Sequence, residues 1–434
     1  MKLFQQMLVA GASISLLAPI AAQASEVVNL EEMNSYSSSK KSSARLDSKT
    51  FINDVSEDIA NLKGRLDGLE ARTNEYEAGG FSDTTTLDGK AVFAIGTVDN
   101  GANTGTNHQE RITSNYVYQM NLNTSFTGDD NLYVRLKAGD GWNASFTSKP
   151  DTYHIEAKDT GDSFNVDKIW YTFPVTDKVT ATIGPKIENY YMLAATPSVY
   201  KPGALKAFKL GGHGAAFGAS TSTGVGLKYV ADNGFAASVT GNSKGATDAS
   251  KGFFSAEDQN KVNAQLAYTD DNYHLSATFS TQRGWNSWSY FSTYEVSNGA
   301  SSTSVKSDSV ALRGWWRPEE TGTAVPSVSV GYDTMSFTGH TITEASGFTV
   351  GLNWADMFQA DDKIGIAVGQ PIDATEAAAG TTLANIDPFL WEVYYSFRPN
   401  DSIEVTPAIF GGTDTYKTTY NDVFGAVLTT TFKF

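Results

Sequence analysis

Apolar and polar residues alternate with a period of two from Thr84 to Phe434, and few folds tolerate that rhythm over so long a stretch. Tyr116, Tyr118, Met120, Leu122 and Phe126 share one face of a strand whose other face carries Asn115, Gln119, Asn121, Asn123 and Ser125. Such a strand has an oily side and a wet side, which suits a soluble sandwich or a barrel set in lipid around water. The connections separate the two. About sixteen strands can be placed, and short turns at Gly128-Asp129, Val175 to Asp177, Asp232-Asn233, Asp270-Asp271, Arg317 to Val325, Ala360 to Asp362 and Arg398 to Asp401 alternate with loops of about ten to forty residues. The expected fold is all-β, a transmembrane antiparallel β-barrel of about 16 strands over residues 81–434, with both barrel ends on the short-turn side.

The rest of the chain agrees with this reading. No run of about 18 or more apolar residues follows Ser25, so a membrane crossing has to be made by strands. Residues 1–24 read as a signal peptide: Met1-Lys2, an apolar stretch from Met7 to Ile20, then Ala22-Gln23-Ala24 before Ser25. A flexible polar leader is expected over 25–49. Over 50–80, Ile52, Val55, Ile59, Leu62, Leu66, Leu69, Thr73 and Tyr76 form one seam of a helix that Gly79-Gly80 stops. Placed before a barrel, this helix lies in the periplasm, and its seam is exposed unless copies of it pair. Arg65 to Glu70 resembles a trimerisation motif of short coiled coils, so a homotrimer is expected. The chain has no Cys, which removes thiol chemistry and disulfide scaffolds. A formal charge of -16 argues against nucleic acid as a partner.

In the last strand Phe424, Ala426, Leu428, Thr430, Phe432 and Phe434 share the outward face. A terminal Phe434 after such a strand resembles the assembly signal read by the barrel-assembly machinery. The helix through Leu69-Glu70-Ala71-Arg72, the stretch Phe81 to Phe93, the stretch Leu122 to Leu132 and the terminal Val427 to Phe434 resemble the cyanobacterial outer-membrane porins of the Som type, related to the carbohydrate-selective porin family. The resemblance implies residence in outer-membrane lipid and passage of inorganic ions and other small hydrophilic nutrients. Such porins carry a surface-layer-homology domain between signal and coil that implies attachment to cell-wall polymer. Here only Ser25 to Lys49 stands in that place, too short for the domain, so a linker remnant is the reading.

Enzymatic chemistry has no support. His108, His154, His213, His274 and His340 are scattered without metal-ligand spacing, no nucleophile motif occurs, and no cofactor is implied. Selectivity then comes from pore width and lining charge. Alternation turns Lys90, Arg135, Lys137, Lys168, Lys178, Lys228, Arg313 and Lys363 inward against Asp88, Asp333, Glu392 and Glu404. The longest loop, Lys186 to Thr223, adds Lys201, Lys206 and Lys209 with only Glu188 opposing. One expectation is that it folds into the lumen as a constriction and favours anions; the other is a surface loop capping the barrel or meeting a neighbour. Trp170, Trp315, Trp316, Trp354, Trp391, Tyr171, Tyr268, Tyr332 and Tyr395 fall near strand ends, as aromatic interface belts would, and stacking on sugars is the rival reading for inward-facing Trp170 and Trp315. Passive diffusion is the leading function, and the rival is a structural envelope protein whose coil links outer membrane and periplasm.

Overall fold

The structure, a computed structural model, describes residues 84–99, 111–140, 159–218, 220–416 and 421–434. The expected signal peptide, polar leader and coiled helix over 1–80 lie outside the described residues. Sixteen antiparallel strands close into one barrel in unbroken neighbour order, with β1 pairing to β16. The first eight are β1 Thr85–Asp99, β2 Thr113–Thr124, β3 Asn131–Gly139, β4 Asn165–Thr176, β5 Val179–Ile187, β6 Ser222–Val230, β7 Phe235–Ser243 and β8 Asn260–Thr269. Then follow β9 Tyr273–Arg283, β10 Lys306–Trp316, β11 Ser327–Thr338, β12 Ile342–Ala355, β13 Lys363–Ala377, β14 Phe389–Asn400, β15 Ile403–Tyr416 and β16 Asn421–Lys433.

Successive side chains on a strand point to opposite faces, so the period of two sorts them into an oily exterior and a polar interior. On β9, Leu275 is 64% exposed on the outside, whereas Thr278 is fully covered on the inside. The same sorting runs through β6 and β8, where Val225, Leu227, Tyr229, Leu266 and Tyr268 are exposed and Asn263 and Gln265 are buried. Closing the sheet removes its edges, so each strand has a paired neighbour on both sides within the wall. At the seam Gly89 and Phe434 exchange backbone hydrogen bonds of 2.9 and 3.2 Å. The Phe434 ring lies over Gly89, where a Cβ would collide with it, and stacks on Tyr118 at 5.7 Å.

Three expectations change. A strand was expected to start at Lys178, but β5 begins at Val179 because the Thr176 hydroxyl accepts the N–H groups of Lys178 and Val179 and closes the turn one residue later. Lys178 therefore leaves the wall and pairs with Asp232 of the β6–β7 turn at 2.6 Å. Long and short connections do not alternate strictly either: β11 and β12 are joined by Gly339 to Thr341 and β15 and β16 by residues 417–420, both on the long-loop side. These strand ends are polar, which hides them from a hydropathy pattern, yet the ladder continues through Ser336↔Glu344. Third, the interior is not polar throughout. Leu390, Phe410, Val423 and Val427 point inward at the long-loop end and are buried.

Candidate functional site

The loop joining β5 to β6, residues 188–221, has no periodicity, so its backbone hydrogen bonds must be found elsewhere. It contains a 3-10 turn, Asn189–Met192, and a kinked 3-10 segment, Lys206–Gly211, broken at Lys209 and Leu210, and it runs across the lumen to the far wall. There Glu392 of β14 accepts the Tyr200 hydroxyl at 2.7 Å and the N–H groups of Gly203, Ala204 and Leu205 at 3.1, 3.1 and 2.7 Å. Arg313 of β10 donates to the carbonyls of Leu210 and Gly212 at 2.9 and 2.7 Å and pairs with Asp333 of β11 at 2.8 Å. Lys261 of β8 donates to the carbonyls of Ala215 and Gly218 at 2.5 and 2.9 Å. Burying these charged groups is tolerable only because each is met by several partners.

The seat is close enough to require glycine. A Cβ on Gly331 of β11 would run into the Gly211 carbonyl oxygen, which also accepts the Thr349 hydroxyl at 2.6 Å. Gly331→Ala is therefore expected to lift the loop from the wall without unfolding the barrel. Faster protease cleavage between Ser198 and Gly218, with unchanged barrel mobility on a gel, checks it.

A second loop, between β9 and β10, also folds inward, and the sequence reading missed it. Trp285, Trp288, Phe291 and Val296 are buried against Leu205 and Phe208 of the first loop and against inward Phe337, Ile342, Ile372, Leu390 and Phe410. The Trp285 indole donates to the Gly218 carbonyl at 3.2 Å. The two loops thus form a dry core inside one side of the barrel. Its sequence signal was available: apolar residues at inward positions near the long-loop end have no use in a water-filled tube.

Opposite this core the inner wall of β2 to β4 carries polar and aromatic groups. Arg135 of β3 donates to Asn121 at 3.1 Å and to the Tyr133 and Tyr191 hydroxyls at 2.8 and 3.2 Å, which holds its guanidinium in one pose. Trp170 packs on Tyr133 at 4.2 Å and on Tyr191 at 4.9 Å, and Tyr191 packs on Tyr190 at 4.6 Å. A bulge in β4 admits Asp167 as an extra residue. It pairs with Lys168 at 3.4 Å, and Lys168 reaches Glu188 of the loop at 3.2 Å. Burial pushes the Glu188 carboxyl up, but Lys168, Lys206, the Tyr190 hydroxyl and Lys209 outweigh it and hold it below the usual range. Burial, and then the charges of Lys206, Lys209, Lys261 and Arg313, hold His213 well below the ordinary histidine value, so it stays neutral.

Most of the sequence-derived residues fall into three groups. Arg313 and Glu392 do lie on inward faces, but at 3% and 0% exposure they sit under the loop and dock it; they are not exposed to lumen water. Arg135, Lys168, Lys206 and Lys209 meet where the loop leaves β5, with the Lys209 ammonium 4.5 Å above Tyr190. At the short-turn end Glu404 accepts from Lys433 at 2.8 Å and Arg398 at 3.4 Å, with Lys363 and Lys201 in the same electrostatic cluster. Lys201 is exposed, Lys228 is half-buried on β6, and Lys137 and Lys186 stand at the long-loop end. Trp170 and Trp315 are engaged by neighbours, the latter by His274 at 5.7 Å and the Arg317 guanidinium at 5.6 Å; Trp170 is half-buried and Trp315 buried. Among the described residues no three His, Asp or Glu side chains gather as a metal set would.

A family model described as carbohydrate-selective porin, OprB family, matches residues 47–434. An uncharacterized protein of Nostoc sp. is 26% identical over 423 residues, covering 88% of this chain and 71% of its own length. Another, of Synechocystis sp., is 23% identical over 406 residues, covering 83% and 71%. Among solved structures, Pseudomonas putida OprB superposes with a TM-score of 0.57 at 12% identity, covering 84% of this chain and 96% of that one. A mutant porin of Rh. blastica gives 0.50 at 13% identity, covering 81% and 100%. The family match spans the whole closed barrel and both inward loops, so the chain belongs to the carbohydrate-selective porin, OprB family, and is an outer-membrane channel.

Proposed function

We propose that the protein is a passive diffusion channel for inorganic ions and small hydrophilic solutes that leans toward anions, and that the loop over 188–221 narrows it. The observation that carries this reading is the loop's path from β5 across the lumen to Glu392, which leaves the side of β2 to β4 for solutes. The loop brings Lys201, Lys206 and Lys209 with Glu188 as its one carboxylate, and Arg135 faces it. Two of the acidic wall groups, Asp333 and Glu392, lie under the loop, and Asp88 accepts the amides of Asn121 and Asn123 at 2.5 and 3.0 Å. A low-dielectric wall around a narrow aqueous path focuses the remaining positive field.

Reversal potentials in a potassium chloride gradient test this. The native channel is expected to prefer chloride, and Lys201→Glu with Lys206→Glu and Lys209→Glu should shift the chloride-to-potassium permeability ratio about fivefold toward potassium. Native cation preference that the triple change leaves in place would refute it. The proposal extends to assembly: residues 1–24 direct export, 50–80 pair three chains in a periplasmic coiled coil, and Phe434 marks the barrel for its assembly machinery. Cross-linking to a trimer that is lost on deleting 50–80 supports this part, and an unchanged trimer refutes it.

A further inference from the structure

We infer that the long-loop end of the barrel holds a binding site for a divalent oxyanion such as sulfate or hydrogen phosphate, built on Lys137, Lys186 and Lys244. The inference deepens the anion-leaning reading, and it rests on the lumen being open to solutes.

These three lysines come from the end of β3, the end of β5 and the residue after β7, and they line one cavity of about 430 Å³. Neither Lys186 nor Lys244 has a carboxylate within ion-pair distance among the described residues. Lys186 donates to the Val166 carbonyl at 2.9 Å, and the Lys244 ammonium is held 4.7 Å above the Trp285 ring of the second inward loop. Burial lowers Lys244 to about 8, so it is still charged at neutral pH and would gain from an anion beside it. Two carboxylates share the cavity. Asp167 is already paired with Lys168 at 3.4 Å and with Arg135 at 4.0 Å, and Asp159 accepts the Gly161 N–H at 2.9 Å.

The hydroxyls settle what kind of guest fits. Thr221 accepts the Lys168 ammonium at 2.7 Å and Ser222 accepts the Asn242 amide at 3.2 Å. Each oxygen accepts one such bond, and its own proton remains to give. A cavity offering ammonium and hydroxyl donors suits a guest made of acceptors, and a tetrahedral oxyanion presents four. A neutral solute would not balance two ammonium groups that have no carboxylate partner among the described residues.

Titration calorimetry of sulfate into the purified protein in detergent tests the site without requiring conduction. Saturable binding is expected at constant ionic strength, weakened about tenfold by Lys244→Gln or Lys186→Gln and unaffected by Lys178→Gln at the opposite end. Heats that do not saturate, full competition by equal charge concentrations of chloride, or an unchanged affinity in Lys244→Gln would overturn it. Reversal potentials on the same preparations separate the two ideas. Chloride preference without saturable sulfate binding removes only this site, whereas Lys244-dependent binding by a protein silent in bilayers removes the channel reading and leaves the site.

Discussion

Replacing Glu392 with leucine is expected to raise single-channel conductance about twofold and to make the current noisier, with the barrel still folded. Glu392 is the far anchor of the loop: one carboxylate accepts a hydroxyl and three successive backbone N–H groups from Tyr200 to Leu205. Leucine fills similar space but accepts nothing, so four donors lose their partner and seek water, which a lumen supplies. The segment from Tyr200 to Leu205 then leaves the wall and widens the passage. Glu392→Gln keeps one amide oxygen as an acceptor and should give an intermediate effect. Because the protein has no cysteine, Lys201→Cys reports loop position cleanly, and a charged thiol reagent should modify it faster in the Glu392→Leu background. Unchanged conductance together with unchanged labelling would refute the anchor role.

Arg313→Met is expected to cost about 3–5 kcal/mol of stability, the usual penalty for leaving one member of a buried ion pair alone. Arg313 is covered on all sides, pairs with Asp333, and donates to two loop carbonyls, so methionine strands both a carboxylate and the loop backbone. Adding Asp333→Leu removes the stranded charge and should recover much of that loss, while the loop stays loose. Urea unfolding of the refolded barrel followed by tryptophan fluorescence measures both. A cost under about 1 kcal/mol for the single change would show that the pair contributes little beyond a hydrophobic replacement.

The two anchors show where sequence reasoning reached and where it stopped. Alternation turns Arg313 and Glu392 inward, since facing direction depends only on position along a strand. It could not say that both would be covered. The Tyr200 to Glu392 bond joins residues 192 positions apart, and no local pattern encodes a meeting of that kind. Lys178 failed for a smaller reason: one threonine hydroxyl closed a turn a residue later than hydropathy suggested. Alternation turns Trp170 inside, but its packing on Tyr133 and Tyr191 is a contact among β3, β4 and the loop.

The amino-acid order alone determined a wall of about sixteen strands with oil outside, both ends of the barrel on the side of the short turns, and a basic loop too long to be a simple connection. These follow from the two-residue repeat and from turn chemistry, which act over a few neighbouring residues. Tertiary structure decided which inward residues meet water. Two aperiodic loops bury Trp285, Trp288 and Phe208 against inward apolar residues of distant strands, and Glu392 and Arg313 hold the first of these loops to the far wall. The physical reason is that burial inside a closed cylinder depends on what crosses it, and the crossing segments carry no periodicity from which their partners could be read.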